Sequence, residues 1–324
     1  MEFTDPQLIR LAEQLDSIDP GVRRVAVMEL VDSQEPDAVK LLIRALNDED
    51  PGVREEAAKM VDEFDADDMA EVLVEALNSS DENVRNAAAH ALADLKDVRI
   101  APSLIMALEG TDDPIVLMGI LRALKPLRAP AAKSVALDMF DHADGRVRRE
   151  AVGVIGYLRD PSTLEALISL SQQDTDDDVR RSAVNALRFG TSDSVGLPLV
   201  EALHDAHWQV RAEAAASLGR LQAQTALQAL ISATSDEYWQ VREKAVDALG
   251  QLKDAKAVEA VGLCTRDENS NLRKAAVCAL GEIADVSAKP YLQKVLSDPD
   301  PGVRKLAYWA MNRIGFQPVG VIPG

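Results

Sequence analysis

One dipeptide returns along this chain with a nearly fixed period. Val-Arg stands at Val22-Arg23, Val53-Arg54, Val84-Arg85, Val147-Arg148, Val179-Arg180, Val210-Arg211, Val241-Arg242 and Val303-Arg304. Leu272-Arg273 continues the series, and Val116-Leu117 fills its one gap. Successive intervals are 31 or 32 residues, so ten units cover nearly all of the 324 residues. A period of that length marks an array of supersecondary units, each of which buries its apolar face only against its neighbours.

Each unit reads as two helices. The second is the clearer: VREEAAKMVDEF, VRNAAAHALADL, VRAEAAASLGRL, VREKAVDALGQL and LRKAAVCALGEI. With the Val as position zero, apolar residues fall at 0, 4, 7, 8 and 11, which is one helical face. Ala at 4 and 7 predicts close approach of the neighbouring helix. The first helix, as in DAVKLLIRALND or TALQALISATS, has helical spacing too. Composition agrees: 47% of residues are hydrophobic but only 4% aromatic, and Ala and Leu, strong helix formers, carry the difference.

The turn between the two helices is regular. Three residues before the Val stands Asp19, Asp50, Asp81, Asp113, Asp144, Asp176 or Asp300. Asp there predicts an N-cap, accepting hydrogen bonds from the first free N–H groups of the second helix. Pro20, Pro51, Pro114 and Pro301 follow at the first helical position, where a missing N–H is tolerated. The repeated Arg is expected to form an Asp–Arg ladder between neighbouring turns.

D-P-G-V-R followed by A-x-x-A-L-G-x-L resembles the HEAT repeat, and more narrowly the HEAT-like repeat of phycobilin lyase subunits and bacterial scaffold proteins. The resemblance covers residues 5–315. It implies an all-α fold, a right-handed α-solenoid of about ten two-helix repeats, with the second helices lining the concave face. One array over 1–315 and a tail over 316–324 are expected, since GFQPVGVIPG cannot continue a helix.

Charge and cysteine content narrow the function. The chain has 35 basic and 54 acidic side chains, net −19. General nucleic-acid binding needs a basic face, so neither nucleic acid nor an anionic membrane is an expected partner. Cys264 and Cys278 are too few for a disulfide framework, and the start has the pattern of no signal peptide, so a cytoplasmic protein is expected. No cofactor or metal is expected. His90, His142, His204 and His207 are the only histidines and none precedes Glu, so the His-Glu pairs of HEAT-like deoxyhypusine hydroxylases are missing. His204 and His207 read as solvated turn residues rather than a metal pair.

Charge is also uneven. Residues 1–115 carry 10 basic and 28 acidic side chains, while residues 116–190 carry 11 and 10. In that middle stretch, second-helix positions 2 and 6, which the core does not need, hold Met118, Arg122, Arg149, Arg181 and Asn185, with Tyr157 and Phe189 near the helix ends. Arg and aromatic residues dominate interface hot spots, so these seven are the expected partner-binding residues. A second candidate is an aromatic edge at the turns of units seven and eight, His207-Trp208 and Tyr238-Trp239, read either as packing between units or as a contact edge. Unit four is irregular: Leu117 replaces the ladder Arg, Gly119 lies in mid-helix, and Pro126 comes near its end.

The expected function is that of a non-enzymatic protein-interaction scaffold or assembly chaperone, with an acidic partner. The alternative, implied by the resemblance, is a phycobilin-lyase-like subunit that handles a tetrapyrrole, with a bilin as ligand and the central arginines facing its propionates.

Overall fold

The computed structural model describes residues 3–33, 35, 37–46, 48–60, 63–64, 66–78 and 82–316. Asp81, expected as a cap, and tail residues 317–324 lie outside them. The described residues contain helices and no strand. They form two compact units, 1–159 and 160–324.

The first unit holds α1 (Pro6–Leu15), α2 (Pro20–Leu30), α3 (Ala38–Leu46), α4 (Pro51–Met60), α5 (Ala66–Leu77), α6 (Glu82–Asp94), α7 (Ala101–Glu109), α8 (Pro114–Leu127), α9 (Ala132–Asp138) and α10 (Gly145–Leu158). The second holds α11 (Leu164–Gln173), α12 (Asp177–Ala186), α13 (Ser192–Ala202), α14 (Trp208–Arg220), α15 (Leu227–Ala233), α16 (Trp239–Leu252), α17 (Val258–Cys264), α18 (Ser270–Ile283), α19 (Lys289–Lys294) and α20 (Pro301–Arg313). Each unit is therefore a stack of five helix pairs. The odd-numbered helices are the first of each pair and the even-numbered ones the second.

Second helices carry the core. In α16 and α18 the buried positions are 0, 4, 5, 7, 8, 9 and 11, a wider face than the predicted 0, 4, 7, 8 and 11. The reason is that α16 and α18 each touch their own first helix and the second helices on both sides. Their approach is very close. A Cβ built on Gly219 would lie 2.8 Å from the Cα of Ala248, and one on Gly250 would lie 2.9 Å from the Cα of Ala279. The predicted role of Ala at position 7 is this contact, with Gly at position 9 as its counterpart.

The turns repeat as closely as the helices. Asp19, Asp50, Asp113, Asp144, Asp176 and Asp300 each accept the backbone N–H two residues on, the expected N-cap. Asn269 does the same for α18. The ladder uses a different aspartate, five residues before the Val. Arg23 pairs with Asp48 through Nε and Nη2, both at 2.8 Å. Arg180–Asp205, Arg211–Asp236 and Arg273–Asp298 repeat this two-pronged pairing at 2.7–3.0 Å. The remaining Nη1 of each donates to a carbonyl of its own turn, as Arg211 does to Asp205 at 2.9 Å. Each ladder aspartate also accepts the N–H two residues on, so one carboxylate ties a turn shut and joins it to the previous repeat.

In unit four the ladder is altered at both ends. Leu117 is buried where other repeats have Arg. His142, at the ladder-aspartate position of unit five, accepts the Asp144 N–H through Nδ1 at 3.0 Å. Pro126 lies within α8 near its end, and the helix closes on Arg128 in the left-handed region, φ 50°. Arg159, Lys253 and Ala284 close α10, α16 and α18 in the same way, while α14 ends on Leu221 in the right-handed region and Gln222 just after it is left-handed.

Acid should attack these turns first. The usual Asp value is 3.8; Asp144 and Asp300 are held at about 2, chiefly by hydrogen bonds from Arg146 and Lys274. For Asp205 and Asp236 burial pushes upward, but hydrogen bonds from Arg180 and Arg211, with others, leave the net shift downward. A depressed folded value means that the unfolded chain binds more protons below pH ~4, so stability is present above the unfolded value and is lost as pH falls through the folded ones. The melting temperature should stay flat from pH 7 to about 5 and drop steeply between about 4 and 2. Circular dichroism melts across this range check it, and a decline beginning at pH 6 would contradict the assignment.

Candidate functional site

Helices α8 and α10 form the most basic surface of the first unit. That unit has 18 basic and 32 acidic side chains. Within α8 and α10, however, Glu150 is the one acidic residue, against Arg122, Lys125, Arg146, Arg148 and Arg149. The carboxyl group of Glu150 is buried, with 7% of its side chain exposed. Arg122 donates to its Oε1 at 3.1 Å, and Arg149 reaches the same oxygen at 3.7 Å. Lys125 pairs with Oε2. Burial alone would raise the Glu150 carboxyl, yet Lys125 and Arg122 hold it below the usual carboxylate range. Glu150 is thus an anion on which Arg122, Lys125 and Arg149 converge.

Two of these cations reach the surface. The side chain of Arg122 is 47% exposed and that of Arg149 34%. Gly153 leaves room for Lys125 to lie down toward Glu150, since a Cβ there would meet the Lys125 Cε at 2.5 Å. At the C-terminal end of α10, Tyr157 is exposed and the Arg128 guanidinium carbon stands 5.8 Å from its ring centroid. Arg149, Arg122, Lys125, Arg128 and Tyr157 therefore make a basic strip that ends on an aromatic ring. Lys125 and Arg128 were not among the residues expected from the sequence.

Other expected residues sit differently. Met118 is buried in the core at 9% exposure rather than on a free column, because every position of α8 from Val116 to Leu121 packs inward. Arg181, Asn185 and Phe189 belong to the second unit. Arg181 pairs with Asp178 one turn back at 2.8 Å, and Asn185 donates to Glu213 on α14 at 2.7 Å. Phe189 is half-buried in the short 3-10 turn Leu187–Phe189. Positions 2 and 6 are accordingly used by cross-repeat polar pairs, with Glu at position 3 as the acceptor. Glu56, near Arg24 and Lys59, is a third example.

The aromatic edge is a stack. His207 and Trp208 have ring centroids 6.3 Å apart, and Trp208 and Tyr238 5.6 Å apart at an interplanar angle of 14°. Arg211 stands 5.6 Å from the Tyr238 centroid. His207 and Tyr238 occupy the cap position without capping through their side chains. The ladder aspartates Asp205 and Asp236 instead bind their N–H groups, and the rings pack one repeat on the next. Trp239 is half-buried. His207 Nδ1 lies 3.2 Å from Asp177 rather than beside His204.

Elsewhere in the second unit an open groove of about 640 Å³ runs between α15 and α17, past Ile231, Ala260, Leu263 and Arg242. It was not foreseen, since it depends on a small Ala260 where the next repeat has Tyr291 seated against Gly262. Burial raises the Cys264 thiol to about 11 and also raises that of Cys278, so both are protonated at neutral pH. Among the described residues no group of three His, Cys, Asp or Glu side chains is placed to hold a metal ion. Among them, too, no helix is long and apolar enough to cross a membrane.

The family model described as HEAT repeats matches residues 9–93, 59–125, 133–194, 196–265 and 261–321. A comparison with curated proteins gave no match. Similar solved structures include an engineered protein, 21% identical, with 97% of this chain and 100% of that one aligned at a TM-score of 0.51. YibA of E. coli is 15% identical, with 97% and 98% covered and a TM-score of 0.54. Kap95p, in a structure concerned with its binding to RanGDP, is 14% identical at a TM-score of 0.61; 96% of this chain matches 51% of Kap95p, so the chain spans about half its length. At these identities the likeness is one of fold, an α-solenoid.

Proposed function

Because the chain belongs to the HEAT-repeat family, whose solenoids generally serve as protein-interaction scaffolds, we propose that it is a scaffold that binds an acidic segment of a partner protein on the α8–α10 strip. The observation that carries this reading is the cluster at Glu150. Three cations share one buried carboxylate, and two of them keep a third to a half of their side-chain surface in solvent. Guanidinium groups pair with carboxylates in a planar, directional way, which makes aspartate and glutamate side chains the matching chemistry. Tyr157 adds an apolar contact beside them. In a strongly acidic unit, such a strip orients an acidic partner and turns it away from the rest of the surface.

The test compares two double variants of equal charge change. Arg122→Gln with Arg149→Gln should weaken binding of a capped hexaglutamate peptide at low salt by about tenfold or more, as expected for lost charge-assisted bonds. Lys253→Gln with Lys256→Gln, at exposed positions of another turn, should change it less than about twofold, because exposed distant charges are screened. Equal losses would show that only net charge matters and would remove the strip as the site. The tetrapyrrole reading uses the same arginines for propionates. A shifted bilin absorption band on mixing, lost in the first variant and kept in the second, would favour it instead.

A further inference from the structure

Arg304, the last arginine of the ladder, makes only part of the contacts of a full rung. In the repeat before it, Arg273 sets Nη1 on the carbonyls of Asp267 and Glu268 at 3.0 and 3.1 Å. Its Nε and Nη2 then take both carboxylate oxygens of Asp298 at 2.8 and 2.9 Å. Arg304 repeats the first pair of contacts on the equivalent carbonyls, with Nη1 2.7 Å from that of Asp298 and 3.1 Å from that of Pro299. Its Nε and Nη2 have no partner among the described residues. A guanidinium is planar, so two bonds at Nη1 fix the direction of its other edge. That edge of Arg304 is held as Arg273 holds the edge that receives a carboxylate, and ordering it in advance removes an entropic cost from a complex.

The next residue follows the same pattern. Lys274 Nζ lies 2.7 Å from Asp300, the cap of α20. Its stem runs over Gly302, where a Cβ would meet the Lys274 Cε at 2.8 Å. Arg273 and Lys274 together therefore grip one turn, Asp298-Pro299-Asp300-Pro301-Gly302. Asp298 also accepts the Asp300 N–H at 2.9 Å, which holds the two carboxylates in a fixed relation. Lys305 has the position of Lys274 beside Arg304; it is exposed and has no ionic partner among the described residues. Residues 317–324 contain no Asp or Glu, so they bring no acidic side chain to this pair. A second copy of the chain fits poorly. Its first turn has Ser17 at the ladder-aspartate position, and Asp48, Asp205, Asp236, Asp267 and Asp298 are each paired with an arginine of their own chain.

We propose that Arg304 and Lys305 form a docking site for an acidic turn of a partner protein with the pattern Asp-x-Asp-x-Gly. The first aspartate takes the Nε and Nη2 edge of Arg304, the second takes Lys305, and the glycine leaves room for the lysine stem. The site does not depend on the α8–α10 strip, and either can fail without the other.

The experiment titrates the full chain with the acetylated, amidated peptide Ser-Asp-Pro-Asp-Pro-Gly, a copy of residues 297–302, and follows the Arg304 Nε–H and the Lys305 backbone N–H by NMR. These resonances report on this site, so peptide held on the α8–α10 strip is not counted. A saturable shift with a dissociation constant on the order of 1 mM is expected from two charge-assisted contacts. Arg304→Lys keeps the charge but loses the two-pronged edge and should weaken binding about tenfold. Lys305→Gln, at an exposed position that the fold does not need, should weaken it about threefold or more. Lys294→Gln makes the same charge change at an exposed position of α19 and should alter it less than about twofold. The isomer Ser-Pro-Asp-Asp-Pro-Gly has the same composition with its aspartates adjacent, and should bind about fivefold more weakly. No shift at either resonance with about 10 mM peptide overturns the site. Equal binding of the isomer, or equal losses in Lys305→Gln and Lys294→Gln, overturns it in favour of bulk charge. A sedimentation coefficient that rises with protein concentration, and no longer does so in Arg304→Lys, assigns the face to a second copy and overturns the partner turn.

Discussion

Arg211→Met should lower the stability of the second unit by about 3 kcal/mol, the low end of what breaking one side of a buried ion pair costs. The low end applies because some water reaches the rung: 10% of the Arg211 side chain and 12% of the Asp236 side chain are exposed. The loss comes from several groups at once. Asp236 loses two charge-assisted bonds at 2.7 and 3.0 Å, and the carbonyls of Asp205 and Ala206 lose a donor. Methionine keeps the aliphatic volume, so the effect is not one of packing. Chemical denaturation followed by circular dichroism measures it, and a change below about 1 kcal/mol would place the ladder among surface ion pairs of little weight.

The chain itself indicates how such a rung can be replaced. At unit four a buried Leu117 takes the Arg position, while His142 and Thr111 at ladder-aspartate positions still bind the N–H two residues on. In the double variant Arg211→Leu with Asp236→Thr, an apolar side chain removes the charge and a hydroxyl remains to accept the Tyr238 N–H. It should recover part of the stability that Arg211→Met loses. Full recovery is not expected, since the two carbonyls still lack Arg211.

The fold was legible because the first turn of most second helices performs the same task. Capping, proline placement and core contact at Val all depend on neighbours close in sequence, so their spacing survives as a pattern. The ladder was legible only by half. Its arginines share a dipeptide with the core Val, but their partners lie 25 residues on, and the capping aspartates drew the eye two places too far. The aspartates at 48, 205, 236, 267 and 298 have the repeat's period and carry the signal. The left-handed residues at and just after helix ends were invisible, because Arg128, Arg159, Gln222, Lys253 and Ala284 include four residue types and only the backbone conformation recurs.

The candidate site was less legible for a related reason. Positions 2 and 6 face away from the core of their own repeat, which made them look free. For Arg122 and Asn185 the partners are glutamates at position 3 of the next repeat, 28 residues away, while Arg181 is held by Asp178 of its own helix. Arg122 and Arg149 were found by charge, but their common acceptor was hidden as an ordinary helix carboxylate. Met118 was misplaced because α8 is apolar on almost every side, and a periodicity taken from the other repeats does not apply to it.

Close packing of the second helices gives the other large effect. Gly250→Leu should cost about 2–3 kcal/mol, the upper range for overpacking a filled interface. The reason is backbone, not side chain. The Cα of Ala279 stands 2.9 Å from where the first added carbon would be, so no rotamer change relieves the clash and α16 and α18 must separate. Even Gly250→Ala should destabilise, although alanine favours a helix interior over glycine by about 1 kcal/mol. Gly196→Ala supplies the opposite case. It too lies within a helix, but the nearest atom to its added carbon is the Thr225 hydroxyl at 3.7 Å, an ordinary contact. There the helix preference should prevail and stability should rise by about 0.5–1 kcal/mol. Opposite signs for one chemical change at two buried helical glycines would separate backbone propensity from repeat spacing. The same sign at both would mean that the stack can open at Gly250 without loss.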